Sequence, residues 1–237
     1  NLSAARFRVA DTKKEGETME FYLIQTFTTA ARPHFAEALR LVQDTASAKE
    51  DTRLTVLSSA EAFARAARNG SLRDAVLLFA AQTDTAGMDA DTLALLRFLH
   101  LHEKEQLLAG SRAGILIDGE NDLFTKDLGR RIAFAASLCG CALPGKPLVE
   151  SASDLHSFTV LASLWQTDRY AAYLKSCRLL VEKLRTFAPV QITRPKILAV
   201  HAGNHKTSNS LSLWQLTAAA LADKAEIEEI SLRNGQI

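Results

Sequence analysis

The sequence predicts an α/β fold: a five-stranded parallel sheet, doubly wound, between two layers of helices. Two observations predict it. Short apolar runs alternate with amphipathic helical segments over residues 21–187, and every connection is long enough for a crossover between parallel strands. The pattern then restarts at residue 196, which predicts the β-α-β start of a second copy.

Each predicted strand of the first copy is a short, continuous apolar run. Such runs are typical of strands that are buried on both faces, as in a parallel sheet. The predicted strands cover residues 21–25, 54–57, 75–80, 113–117 and 146–149.

The helices follow from apolar periodicity and from residues that start or stop a helix. Pro33 suits a first turn, and the apolar residues after it share one face of a helix. Asn69-Gly70 is a stop signal. The further predicted helices cover residues 60–68, 89–108, 126–139 and 158–187, the last as one helix or two.

These elements divide the chain into four parts. Residues 1–18 are an N-terminal extension, either a hairpin on the first strand or a flexible lead-in. Residues 19–187 form the first domain, residues 188–195 a linker with two prolines, and residues 196–237 the second copy. Because a lone strand–helix–strand leaves its sheet uncovered, we expect this copy to be cut short and the natural protein to continue beyond Ile237.

Composition excludes several classes of function. The 237 residues are 47% hydrophobic and 23% charged, with 28 Lys and Arg against 27 Asp and Glu. A charge near zero argues against nucleic acid as a partner, and no apolar run suits a membrane span. Three cysteines without a CxxC motif argue against a disulfide framework or a zinc site. We expect a cytoplasmic protein with no membrane partner and no bound metal.

The sequence contains no motif of a familiar catalytic site. It has no GxSxG, no P-loop and no GxGxxG, and we predict no catalytic residue. His100 and His102 are interpreted as a solvated helix end, and Cys139 and Cys141 as buried thiols.

Residues 201–210 are the most informative segment, because they join a buried strand to a helix. Free backbone N–H groups and the positive end of the helix dipole meet there, which favours an anion. Ser208, Asn209 and Ser210 offer side-chain donors, and Lys206 a cation. The alternative is simple helix capping by Ser208 or Ser210.

This loop, with its strand and helix, resembles the opening of NADPH-dependent FMN reductases, a flavodoxin-like family. Asn204 stands where that family usually has Ser, and Lys206 lies near its usual Arg. The resemblance implies FMN as cofactor and NAD(P)H as substrate. It also implies a role in holding the flavin phosphate for Gly203, Asn204, Lys206, Ser208, Asn209 and Ser210.

The first copy resembles the same superfamily in element order but departs from it at each flavin contact. Its first loop has Thr26, Thr28 and Thr29 but no Gly or Asn, and residues 81–88 lack the usual Pro and Tyr. The loop after the fourth strand carries Asp118 and other acidic residues, which would repel a phosphate. We therefore interpret the first unit as a degenerate copy that has lost its flavin.

The leading hypothesis is an NAD(P)H-dependent FMN oxidoreductase of two tandem flavodoxin-like units, with the flavin bound mainly by the second. The alternative is a non-catalytic flavodoxin-like scaffold or dimerisation module. Trp165, Tyr170 and Tyr173 are interpreted as packing residues, with a homodimer interface as the other possibility.

Overall fold

The computed structural model describes residues 18–85, 87–188, 194–202 and 208–232. The chain forms two compact units that divide between Pro189 and Val190. The extension predicted for residues 1–18 lies outside the described residues, except for Thr18.

The first unit is built on one sheet whose order is β2-β1-β3-β5-β6. All five strands are parallel. A two-residue strand, β4, pairs antiparallel with the end of β3. The strand that follows β1 in the chain is added on one side of it, and the later strands β3, β5 and β6 are added on the other side. This change of side between β1 and β3 is the arrangement of the flavodoxin-like doubly wound fold. The predicted fold class is confirmed. The strands are β1 Met19–Gln25, β2 Thr52–Leu57, β3 Val76–Asp84, β4 Gly87–Met88, β5 Arg112–Gly119 and β6 Leu148–Ala152.

Helices cover both faces of this sheet and create two separate apolar cores. Helices α1 and α6 pack on one face, while α2, α3 and α4 pack on the other. The bounds are α1 Pro33–Ser47, α2 Ala60–Arg68, α3 Ala90–Leu101, α4 Thr125–Leu138, α5 Thr159–Leu164 and α6 Arg169–Thr186.

The central strand β3 shows why the strands are continuous apolar runs. Leu77 and Phe79 enter the core beside α2 and α3, whereas Val76 and Leu78 enter the core beside α1 and α6. All four side chains are buried, so neither face of β3 tolerates the polar alternation of a solvated strand.

One predicted helix is longer than the observed one. The helix predicted at 89–108 ends at Leu101, and a 3₁₀ turn, Glu103–Glu105, follows before Gln106 takes a left-handed conformation (φ 51°). Of the two alternatives for 158–187, one helix or two, the structure has two helices, because the backbone at Gln166 is also left-handed (φ 52°). Asp168 then caps α6 by accepting the N–H of Ala171 at 2.8 Å.

The second unit contains β7 (Lys196–His201), α7 (Asn209–Leu221) and β8 (Glu226–Ser231). The two strands are parallel, with Ile197 opposite Ile227. The predicted β-α-β is therefore present. In the described ranges, no helix combines the length and apolar character that a membrane span requires.

Gly119 ends β5 in a space that excludes any side chain. A Cβ there would lie 2.4 Å from the carbonyl oxygen of Asn121 and 2.5 Å from Cγ2 of Thr125. We expect Gly119→Ala to lower the free energy of unfolding by about 1–3 kcal/mol through this overlap. Gly145→Ala is the matched control, since nothing lies within 4 Å of its added methyl. Urea unfolding followed by circular dichroism tests this, and equal midpoints for the two variants would contradict it.

Candidate functional site

The connection from β7 to α7 is the first place where the geometry suits a ligand. The strand ends at His201, and α7 begins at Asn209 with Ser208 at its N-cap. The Ser208 carbonyl accepts the N–H of Ser212 at 2.9 Å, but its hydroxyl makes no capping hydrogen bond. The alternative of side-chain capping by Ser208 is therefore not realised, and this hydroxyl is available to a ligand.

A cavity of about 500 Å³ opens at this helix start. Its volume lies within the range of cofactor pockets. Ser208 and Ser210 line it together with apolar residues such as Val200 and Leu211. Asn209, also predicted as a site residue, is exposed at the first position of α7 and is not among the lining residues. The predicted residues Gly203, Asn204 and Lys206 lie outside the described residues.

Two further lining residues were missed in the sequence. The indole N–H of Trp214 is buried and has no hydrogen-bond partner in the described part of the chain. His201, which was not among the predicted site residues, also lines the cavity, and its Nε2 lies 3.0 Å from Oε1 of Glu229. The spacing of Ser210 and Trp214, one helical turn apart, is the signal that could have identified Trp214.

The second candidate place is the carboxyl end of the first sheet between β1 and β3, where the connections that follow these two paired strands lead to opposite faces of the sheet. Ligands of doubly wound sheets bind at this switch point, outside the carboxyl ends of the strands. Here Arg32, at the N-cap of α1, occupies it. Its Nη1 donates to Oδ2 of Asp118 at 2.6 Å, and its Nη2 donates to the carbonyl of Thr83 at 2.5 Å. Its backbone N–H donates to Oε1 of Gln82 at 3.0 Å.

Asp118 is fully buried, and both of its carboxylate oxygens have partners. Oδ1 lies 2.6 Å from Nε2 of His34 and accepts the hydroxyl of Ser151 at 2.7 Å. Tyr173 packs edge-on against the His34 ring, and burial raises the pKa of its phenol well above the usual value. The sequence analysis placed Asp118 among the acidic loop residues that would repel a phosphate; it lies instead within β5, where its carboxylate is buried and paired with Arg32.

The loop after β1 donates hydrogen bonds to a carboxylate of the same chain. The backbone N–H and the hydroxyl of Thr28 donate to Oδ2 of Asp89 at 2.9 and 2.8 Å. Burial alone would raise the pKa of Asp89, but these hydrogen bonds and one from the N–H of Asp91 outweigh it, so the pKa is lowered. Asp89 thus holds the position of an anion for this loop.

The hydroxyl groups of the other two threonines of that loop also have hydrogen-bond partners. The Thr26 hydroxyl lies 3.0 Å from the hydroxyl of Thr92, and Thr29 accepts from the Gln82 amide at 3.4 Å. The cavity left beside Arg32 and Asp89 measures about 220 Å³, below the range of cofactor pockets. This arrangement can hold the fold together, but it leaves little room for a flavin.

The three cysteines are buried free thiols. Burial raises the pKa of Cys139 to about 11 and that of Cys141 and Cys177 to about 12. A neutral buried thiol is a poor nucleophile, as the sequence interpretation of Cys139 and Cys141 expected.

No protein-family model and no curated protein matches this sequence. Among solved structures, the chain is similar to an oxidoreductase from Corynebacterium diphtheriae at 12% identity and a TM-score of 0.48, covering 71% of this chain and 99% of that one. It is also similar to Flavodoxin 1 from Bacillus cereus, at 10% identity and a TM-score of 0.47 over 71% and 99% of the two chains. An NADH:FMN oxidoreductase (EMOB) in its apo form matches at 16% identity and a TM-score of 0.45, over 68% and 89%. The flavodoxin-like assignment rests on the strand order described above.

Removing the charge of Asp118 should destabilise the first unit strongly. Asp118→Asn places an amide NH₂ against donors from Arg32, His34 or Ser151, and we expect a loss of about 3–5 kcal/mol in the free energy of unfolding. Asp127→Asn is the control, because Asp127 pairs with Arg131 on the exposed face of α4 and should change stability by no more than about 0.5 kcal/mol. Similar urea midpoints for both variants would show that the buried carboxylate is dispensable.

The lowered pKa of Asp89 predicts a pH dependence. A carboxyl group whose pKa is depressed by folding stabilises the protein fully above its unfolded value, about 3.9, and loses this contribution as pH falls through the folded value. We therefore expect Asp89→Asn to destabilise the protein at neutral pH and to differ progressively less from the parent in acid. Urea midpoints measured across this pH range test it. A constant difference at every pH would rule out the proposed ionic role.

Proposed function

We propose that this protein is an NAD(P)H-dependent FMN oxidoreductase whose flavin is held mainly by the second unit. The observation that carries the proposal is the cavity of about 500 Å³ at the start of α7, beside the uncommitted hydroxyl of Ser208. A helix N-terminus with added hydroxyl donors is the kind of site that binds phosphate groups. The cavity beside it is of a size that suits the rest of a cofactor.

The described residues fit the two chemical parts of FMN. Ser208 and Ser210 would donate to the phosphate, and the positive end of α7 would favour its charge. The buried indole N–H of Trp214 supplies one more donor, for which the described residues offer no partner. Apolar lining residues, Val200 and Leu211 among them, would keep water from the remainder of the cofactor.

Gly203, Asn204, Lys206 and Asn209 belong to the same proposal through the resemblance of their segment to FMN reductases. When bound, FMN would accept hydride from NAD(P)H and pass electrons to an acceptor, which is chemistry that the cofactor itself supplies. The chain's own task is to anchor the phosphate and exclude water. Because the cofactor would supply the chemistry and the chain only the binding, no catalytic motif is required, which agrees with the sequence.

A second candidate is a non-catalytic flavodoxin-like scaffold or dimerisation module, and one observation favours it for the first unit. Arg32 and Asp89 fill its switch point with hydrogen bonds inside the chain, and these hydrogen bonds stabilise the unit without a cofactor. The two candidates are separated by the visible absorption of the purified protein after incubation with FMN. Flavin bands that stay with the protein support the enzyme, and a colourless protein supports the scaffold.

FMN affinity should depend on the two serines at the start of α7. Each lost hydrogen bond to phosphate is worth about 1.5–3 kcal/mol, so each removed hydroxyl should raise the Kd for FMN roughly 10- to 100-fold. We therefore expect the double variant Ser208→Ala/Ser210→Ala to raise the Kd for FMN at least roughly 10- to 100-fold, as measured by FMN fluorescence titration.

Two variants control for effects elsewhere. Ser212→Ala changes a serine of α7 that does not line the cavity, and Thr28→Ala changes the corresponding loop of the first unit. Both should bind FMN as the parent does. A double-serine variant with unchanged affinity would remove the assignment, and a loss with Thr28→Ala alone would move the flavin to the first unit.

A further inference from the structure

The edge of the first sheet at β6 carries backbone groups that point away from the sheet. In the described part of the chain, β6 pairs only with β5, with Leu148 opposite Ile115. The N–H of Ile115 donates to the carbonyl of Pro147 at 2.8 Å. In a parallel pair this register turns the backbone of Pro147 and Val149 toward β5 and that of Leu148 and Glu150 outward.

The outward direction is also visible in a side-chain contact. The Glu150 carbonyl accepts the hydroxyl of Ser157 at 3.4 Å, from a residue outside the sheet. Leu148, Val149 and Glu150 are half-buried rather than covered. An exposed strand edge of this kind can pair with another extended chain.

An apolar groove of about 330 Å³ runs beside this edge, between β6 and helices α5 and α6. Its walls include Val149, Phe158, Leu161, Trp165 and Leu179. Val160 and Leu164, also on α5, are 77% and 71% exposed. An exposed apolar surface with an aromatic residue at its side is typical of an interaction site.

The charges around the groove are mainly positive. Lys146 and Lys183 line it, and the ammonium group of Lys183 is held at the start of β6 by the Gly145 carbonyl at 2.9 Å. The ammonium group of Lys175 lies 4.4 Å from the centroid of the Trp165 ring. Glu150 is the one acidic lining residue, and it pairs with Lys126 at 3.3 Å.

We propose that this groove binds an extended polypeptide segment of alternating apolar and acidic residues, which adds as a strand to the β6 edge. Backbone pairing with Leu148 and with the N–H of Glu150 supplies the register, because the Glu150 carbonyl already accepts the Ser157 hydroxyl. The apolar wall takes alternate side chains, and the lysines select acidic ones. A lipid surface fits less well, because acyl chains offer no partners to the outward N–H and C=O groups.

The test uses the full chain and a short fluorescein-labelled peptide of alternating glutamate and valine. Binding is measured by fluorescence anisotropy at moderate salt. A lysine–valine peptide of the same length controls for charge. The glutamate–valine peptide N-methylated at alternate residues controls for backbone pairing. We expect binding of the first peptide and at least about tenfold weaker binding of both controls.

Two variants at one position isolate the backbone group on the protein. Glu150→Ala and Glu150→Pro both remove the carboxylate, but only proline removes the outward N–H, and proline is tolerated on edge strands. We expect Glu150→Ala to bind the peptide and Glu150→Pro to bind it about tenfold more weakly. If Glu150→Pro does not fold, as judged by circular dichroism, the N-methylated peptide on the parent protein decides.

Several outcomes would overturn the proposal. They are equal binding of the acidic and basic peptides, no effect of N-methylation, and equal binding by folded Glu150→Ala and Glu150→Pro. Flotation with phosphatidylserine–phosphatidylcholine vesicles, without any binding of the peptide, would assign the surface to a membrane instead.

Discussion

The first unit depends on how it accommodates one buried carboxylate. An ionised group removed from water is unfavourable by several kcal/mol unless charges and hydrogen bonds compensate it. Asp118 is compensated by Arg32 before α1, His34 within α1 and Ser151 on β6. Because Arg32 also bonds the end of β3, one acidic side chain ties together three strands and a helix at the same edge of the sheet.

That requirement determines what the edge can do. In a doubly wound sheet, ligands bind in a crevice outside the carboxyl ends of the strands, between the connections that follow β1 and β3. In this chain the crevice contains the guanidinium of Arg32 and the amide of Gln82, and the adjacent loop donates to Asp89. The second unit keeps its serine hydroxyls beside a larger cavity. The two units therefore use similar strand–loop–helix connections for opposite purposes, one for cohesion and the other, in our proposal, for a cofactor.

The sequence predicted the strands and the helix start that local residue patterns determine. It did not predict the buried polar contacts between residues that lie far apart in the chain. Apolar run length identified the five parallel strands, and the serines before α7 marked a helix start. The extension of β3 through Gln82 and Thr83 was missed, because these polar residues are buried through strand pairing with β5 and contacts with Arg32, which lie 36 to 51 positions away in the sequence. The Arg32–Asp118 pair spans 86 positions and produces no periodic pattern. From the sequence, Asp118 was therefore interpreted as a loop acid that would repel a phosphate.

The carboxylate of Asp89, bonded by the loop after β1, has a thermodynamic consequence. When a protein binds an anion from solution, its free energy of unfolding rises with the logarithm of the anion concentration, so the protein is less stable when the anion is scarce. Here the anion is covalently part of the chain and its local concentration is constant. The stabilisation that Asp89 gives to this loop therefore does not vary with the concentration of any anion in solution.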